Sequence, residues 1–443
     1  MAAGVARAAI ASAGVDGRAL SEPRLTLLDS GVRVVTEEVP SVRSVALGLW
    51  VRTGSRNETS AQAGVSHFLE HLLFKGTERF SAIEISERFD GLGASVNAAT
   101  GKETTHLHAR FLDEHAEEVF EMLAEMLLAP TYPEVDSERQ VVLEEIAMYE
   151  DEPQDRVHDV LADAVFGEHP LGRRVLGTAD VISSIPVPDI DVYHQQRYTG
   201  GNVVVGAAGH LDHDQIVAMA EGLVPSSTDN GEGEAADELE ETVRFSFYPK
   251  DTEQYHICFG APGLVRGDER RYQLGVLDSI LGGSPSSRLF REVREKRGLA
   301  YSVGSYNEQY TDSGLAAIYV GTRESNVEEA CALIGGELAR IRSEPVSAEE
   351  LSRAKESVKG RLVLSSESTA ARMSRISRAT LFDLPIESLD EMLAGVDAVC
   401  VEDLTELAAE LYGPERLSAA CIGREESRFR AALAPVSEAL VTA

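Results

Sequence analysis

His67, Glu70 and His71 stand within one ten-residue run, HFLEHLLFKG, that spans residues 67–76. On an α-helix, residues i and i+4 stack on one face, so the two imidazoles converge on one point about a turn apart. Glu70 falls between them in angle and can reach a water at the metal instead of the metal itself. Val65, Phe68, Leu69, Leu72, Leu73 and Phe74 make this helix apolar nearly all round, which predicts burial. Two imidazoles and a carboxylate are costly to bury without a partner, and a divalent cation supplies one. A core helix with two hydrogen-bonded histidines also fits these residues, so the surrounding sequence has to decide.

A third ligand must come from another element. Residues 137–149, SERQVVLEEIAMY, read as a helix whose buried side carries Val141, Val142, Ile146, Met148 and Tyr149. Glu138 and Glu145, seven apart, lie in the middle of that side, whereas Glu144 points away. Acids on an apolar face need a reason, so Glu145 is expected as the third ligand and Glu138 as a supporting acid. The competing reading is a rotated helix with all its acids in solvent. Two histidines and a glutamate fill the protein side of a catalytic Zn2+ site. His106 and His108, on one face of a later strand, are therefore expected to be packed or surface histidines.

The elements that must position these groups alternate between strand and helix. Residues 25–38 read as two short strands around Asp29-Ser30-Gly31, and 44–53, SVALGLWVRT, as a half-buried strand. A helix near 82–89 is stopped by Gly91 and Gly93. Residues 94–99 and 104–111 then alternate like paired strands turning at Gly101, and 115–128 is amphipathic and helical. The strand 94–99 has small side chains and glycine beside it, so an extended peptide can add along it, with Asn97 and Ala98 as the backbone contacts.

The chain has 443 residues, enough for two domains, and a formal charge of −33, which argues against nucleic acid or an anionic membrane as partner. No apolar run approaches the length of a membrane span. The four cysteines are scattered without a C-x-x-C and are read as reduced thiols of a cytoplasmic protein. Residues 1–24 read as a flexible N-terminus, 25–225 as the metal-binding domain, 226–243 as an acidic linker and 244–443 as a second domain. The run GLGASVNA from Gly91 recurs as GLAYSVGS from Gly298 at an offset of 207, which puts Leu274, Leu277 and Asp278 where His67, Glu70 and His71 stand. The second domain thus repeats the architecture without the metal ligands. Gly91-x-Gly93 lacks the third glycine and the downstream acid of a dinucleotide site.

Four blocks, in order, resemble the pitrilysin/insulinase family of zinc peptidases, which carry the inverted H-x-x-E-H signature. They are HFLEHLLFKGT from His67, ERQVVLEEI with Glu145 lying 74 positions after His71, HPLGRRVLGT from His169, and SRLFREVREKRGLAYSV from Ser287. The likeness is strongest to the branch holding bacterial processing-type peptidases and the β subunit of mitochondrial processing peptidase. The segment Gly282-Gly283-Ser-Pro-Ser-Ser is short, unlike the long glycine-rich loop of that enzyme's noncatalytic α subunit. The resemblance implies an α+β fold of two related αβ-domains, each a mostly antiparallel sheet packed with helices. It implies zinc on His67, His71 and Glu145, Glu70 as general base, Glu138 assisting, and Arg294 and Tyr301 contacting substrate and the developing oxyanion. Longer members of the family look like two fused copies of this chain, with the matching Arg and Tyr in the second copy. The expectation is therefore a homodimer enclosing a chamber, in which unfolded or extended peptides are hydrolysed. A noncatalytic structural subunit of the same fold is the alternative.

Overall fold

The computed structural model describes residues 22–223, 225, 227, 239–240 and 242–443. Most of the N-terminal segment 1–24 and of the acidic stretch 226–243 lies outside the described residues.

The first half builds one six-stranded sheet from β1 (Arg24–Leu27), β2 (Arg33–Glu38), β3 (Ser44–Val51), β4 (Ser95–Thr100), β5 (Thr105–Leu112) and β6 (Val203–Gly209), in the order β1-β2-β6-β3-β5-β4. The second half builds another from β7 (Phe245–Pro249), β8 (Gln254–Pro262), β9 (Ala300–Gln309), β10 (Gly314–Arg323) and β11 (Ser418–Gly423), in the order β7-β11-β8-β10-β9. Each sheet has one parallel pair, β2 with β6 and β7 with β11, and is otherwise antiparallel. Apart from β1, the two sheets match strand for strand, so the sequence repeat is a repeat of topology. The helix Val65–Leu72 corresponds to Arg271–Leu281. Leu274 and Leu277 are buried there, and Asp278 accepts from Ser305 Oγ at 2.6 Å.

The inner face of each sheet packs on helices of its own half. The outer faces are covered by exchange. Helix Pro153–Phe166 from the first half lies on β8 and β11, against Cys258, Ala420 and Ile422. Helix Thr369–Leu381 from the second half lies on β2, β3 and β6, against Val35, Ala46, Trp50, Val204 and Ala208. Residues 44–53 are therefore not a half-buried strand as expected, because β3 is covered on both faces. Its inward residues Val45, Leu47, Leu49 and Val51 join the main core, and Ala46 and Trp50 join the exchanged helix. The contact is close enough to require glycine at position 206, where a Cβ would meet Ser377 Oγ at 1.8 Å. Met373, Ile376 and Leu381 are buried by it, each side chain contributing about 1.5–3 kcal/mol, so the exchange ties the two halves together.

The strands 94–99 and 104–111 of the sequence reading are β4 and β5, each displaced by one residue. β4 pairs only with β5 and forms the open edge of its sheet.

Candidate metal centre

Helix Val65–Leu72 begins at Gly64, whose φ of 96° is a conformation that L side chains rarely adopt. No side chain adjacent in sequence caps it; the cap comes from six residues upstream. Buried Glu58 accepts from Gly64 N at 2.7 Å through one carboxylate oxygen and from Ser66 N at 2.8 Å through the other. Burial pushes the Glu58 carboxyl up to about 7, against the opposing pull of these amide bonds. Arg173, from the HPLGRR segment, donates to the main-chain oxygens of Arg56 and Glu58 and fixes the loop that carries the cap. The sequence reading missed Glu58, because a distant carboxylate folding back over a helix start leaves no local pattern.

The helix then delivers His67 and His71 side by side, with ring centroids 4.7 Å apart. Glu145 arrives from helix Val135–Asp151, its Oε1 3.6 Å from His67 Nε2 and its Oε2 3.3 Å from His71 Nε2. One ligand atom from each residue lies within 4.8 Å of the others, the spread a single small cation can bridge. Buried His67 is held neutral: burial and the neighbouring His71 push its pKa down to about 4, leaving an imidazole lone pair for a metal. His67 Nδ1 is buried without a hydrogen-bond partner among the described residues.

Glu138, seven residues before Glu145, is buried and stands 2.8 Å from His71 Nδ1. As an acceptor it puts the ring proton on Nδ1 and leaves the Nε2 lone pair facing Glu145. Its other oxygen is 2.6 Å from Lys75 Nζ, a partner one helical turn past His71 that the sequence reading did not single out. The phase of helix Val135–Asp151 differs from the expectation in one respect. Val141 and Met148 are 50% and 72% exposed, not buried; the helix packs through Val135, Glu138, Val142 and Ile146. Glu145 sits at the rim of that face with its side chain 42% exposed, so the centre opens to solvent on the flank that carries Val141 and Met148. Glu144 is exposed, as expected.

Glu70 is half-buried and feels the polar groups of Thr100, the last residue of β4, whose hydroxyl stands 3.4 Å from that of Thr105. Burial raises its carboxyl above the usual range, opposed by the Thr100 dipoles and the nearby His71. This joins the metal ligands to the open sheet edge. On that edge Asn97 is exposed and Ala98 buried, and Ala98 N donates to Asn97 Oδ1 at 2.9 Å. The Ala98 amide is thus satisfied by a neighbouring side chain, on the unpaired side of the strand.

Arg294 and Tyr301 lie elsewhere. Arg294 stands on the π-helical segment Phe290–Glu295, a geometry that favours functional positions, and Tyr301 is 77% exposed near the start of β9. Arg294 donates to Tyr301 O at 3.1 Å and stacks 4.5 Å over its ring. Among the described residues, neither has a hydrogen bond, ion pair or ring contact with His67, Glu70, His71 or Glu145. His106 stacks on Trp50 at 3.9 Å between ring centroids and His108 packs beside it, as expected of packed histidines.

Residues 33–179 match the family described as Insulinase (Peptidase family M16), and residues 184–358 match the Peptidase M16 inactive domain. A protein of Bacillus subtilis named "Uncharacterized zinc protease YmxG" is 43% identical over 86% of this chain and 94% of its own length. A Streptomyces coelicolor protein, "Uncharacterized zinc protease SCO5738", is 40% identical over 93% of this chain and 92% of its own. The fold matches a solved peptidase M16 inactive domain from Pseudomonas fluorescens with a TM-score of 0.84, at 22% identity over 91% of this chain and 99% of that one. It also matches a protease from Helicobacter pylori with a TM-score of 0.83, at 21% identity over 91% of this chain and 100% of that one. With a half that gathers two histidines and a glutamate and a half that repeats its sheet without them, the chain belongs to the insulinase (M16) family of peptidases.

Proposed function

We propose that this chain is a zinc metalloendopeptidase that hydrolyses extended or unfolded peptides. One observation carries the reading: His67, His71 and Glu145 converge within 4.8 Å while Glu70 stands between that group and an open strand edge. The donor set, two imidazole nitrogens and a carboxylate, fits zinc. Zinc held there would act as a Lewis acid on water and on the scissile carbonyl, lowering the pKa of water toward about 7.

Glu70 accepts a proton from the attacking water and returns it to the departing amine. A positioned base of this kind contributes on the order of a hundred- to ten-thousand-fold, and burial, by raising the Glu70 carboxyl, makes it a stronger base. Glu138 and Lys75 hold His71 in the tautomer that binds metal. The substrate backbone extends the sheet along β4, with Asn97 and Ala98 as its contacts. Such an edge accepts chain segments without tertiary structure, which limits the substrates to extended peptides.

Arg294 and Tyr301 act in a homodimer, each subunit's pair completing the partner's centre and donating to the oxyanion. Their lack of contact with the metal ligands of their own chain and the exposure of Tyr301 support this. The apolar flank of Val141 and Met148 beside Glu145 suits an enclosed peptide-binding chamber. Among the described residues no helix is long and apolar enough to cross a membrane. Four free cysteines accord with a reducing cytoplasmic setting. A noncatalytic structural role has no specific observation in its favour, because the ligand group and the base are both complete.

Mass spectrometry of products from a peptide library tests the reading. Cleavage suppressed by a chelator and restored by zinc is expected. A zinc-loaded dimer that cuts nothing would establish the structural role instead.

A further inference from the structure

Between the halves, starting where β4 ends, lies a cleft of about 580 Å³ that the metal chemistry leaves unused. Its walls include Gly101 and Lys102 of the β4–β5 turn, residues 306–309 at the far end of β9, Arg266 and Arg378. Thr100, which acts on the Glu70 carboxyl, immediately precedes Gly101. At about 3.3 Å per residue, a peptide lying along β4 enters the cleft within a few residues of the reacting bond.

The cleft departs from the charge of the molecule. The chain carries −33, yet three cations, Lys102, Arg266 and Arg378, face this space against two carboxylates, Asp159 and Glu308. Both carboxylates have partners: Asp159 lies 3.9 Å from Arg156 Nη1, and Glu308 accepts from the Tyr310 hydroxyl. Lys102 Nζ donates to Arg173 O and lies in the field of both carboxylates, so the least compensated charge is that of Arg378. Arg266 gives Nη2 to Glu103 at 2.8 Å, but its Nε is buried without an acceptor. The Arg378 guanidinium has no hydrogen bond or ion pair among the described residues; it lies 5.5 Å over the Trp50 ring, and the charge acting on it is that of Arg266. Two neighbouring guanidinium groups in a partly desolvated space favour an anion between them. On the same wall Asn307 Oδ1 is buried without a donor among the described residues, an acceptor for a substrate N–H.

We infer that this cleft is a specificity subsite for a carboxylate on the extended peptide, an Asp or Glu side chain or a free C-terminus, held by Arg378 with Lys102 and Arg266. The inference rests on the reading of β4 as the peptide-binding strand.

The test is calorimetric titration of zinc-loaded Glu70→Gln dimer with short neutral peptides carrying Asp, Asn or Arg at successive positions, each with a free or an amidated C-terminus. The expected result is an Asp-over-Asn preference of about tenfold or more at one position or two adjacent ones, the scale of a charge-assisted hydrogen bond. A gain confined to peptides with a free C-terminus supports the subsite equally and names the terminal carboxylate as its ligand. The preference should fall toward unity when Arg378→Gln is added and persist in part with Arg378→Lys; Lys102→Gln repeats the test should Arg378→Gln fail to fold. Absence of any preference, a preference indifferent to both substitutions, or a preference for Arg would overturn the inference. Cleavage of the same peptides by the enzyme that retains Glu70 separates the two proposals. Asp-selective binding without cleavage keeps the subsite and sinks the peptidase reading, and cleavage without Asp selectivity does the reverse.

Discussion

Glu138 Oε1 lies 2.8 Å from Nδ1 of His71, on the side of the ring away from the metal-facing nitrogen. The pairing sets the imidazole tautomer and orientation, and Lys75 at 2.6 Å holds the carboxylate in place. Glu138→Gln should therefore weaken zinc binding by about 10- to 100-fold with the three ligands untouched, the usual cost of losing such a support. Lys75→Met should do the same to a smaller degree. Competition against a chromogenic chelator measures both, and wild-type affinity in Glu138→Gln would remove Glu138 from the centre.

Glu58 makes the start of the metal-binding helix sensitive to pH. Its carboxyl is raised from 4.5 to about 7 in the fold, so the folded chain holds this proton more tightly than the unfolded one. Its contribution to stability is thus complete below about 4.5 and is lost as pH rises toward 7. With metal chelated, the stability of wild type relative to Glu58→Gln should fall across that window by roughly 1–3 kcal/mol in urea unfolding. A difference that is flat or grows with pH would contradict the assignment.

Thr100 favours the ionised form of Glu70 through its hydroxyl. Thr100→Val removes that dipole, so the Glu70 pKa should rise and the acid limb of the kcat/KM profile should move to higher pH. A limb that stays in place, or moves down, would mean that another group sets it.

The extent to which the sequence reveals this architecture differs between its parts for physical reasons. The clustered group is legible because helical spacing brings His67 and His71 together and because Glu138 is an acid on a buried face, whereas Glu145 stands at the rim of that face and not in its middle. The repeat is legible in the two glycine-led runs at the edge strands β4 and β9. The exchange of helices is not legible. On β3 the outer positions Ala46 and Gly48 are small because a helix from the far half packs closely there, and small residues alternating with large ones read as a half-exposed strand. The exposure of Val141 and Met148 escapes the sequence likewise, since an apolar stripe does not say which of its flanks meets the core and which meets the site mouth. Glu58 and Lys75 act through contacts that only the folded backbone creates.

Shared centres make a prediction that an isolated chain would not. Under the proposed shared centre, Glu70→Gln subunits would lack the base and Tyr301→Phe subunits a donor to the oxyanion. Each homodimer should be impaired, whereas mixing and re-equilibrating them should restore activity in the fraction of heterodimers that pair an intact Glu70 with an intact Tyr301. No recovery, with heterodimers demonstrated by mass spectrometry, would place the whole centre within one chain.

The central claim, that zinc on His67, His71 and Glu145 works with Glu70 as base, is tested most directly by measuring zinc content and peptide turnover together in wild type and Glu70→Gln. The prediction is one zinc per chain in both proteins, with turnover in the variant lower by about a hundredfold or more. Turnover in Glu70→Gln equal to that of wild type, or wild-type turnover that persists after zinc has been removed, would contradict it.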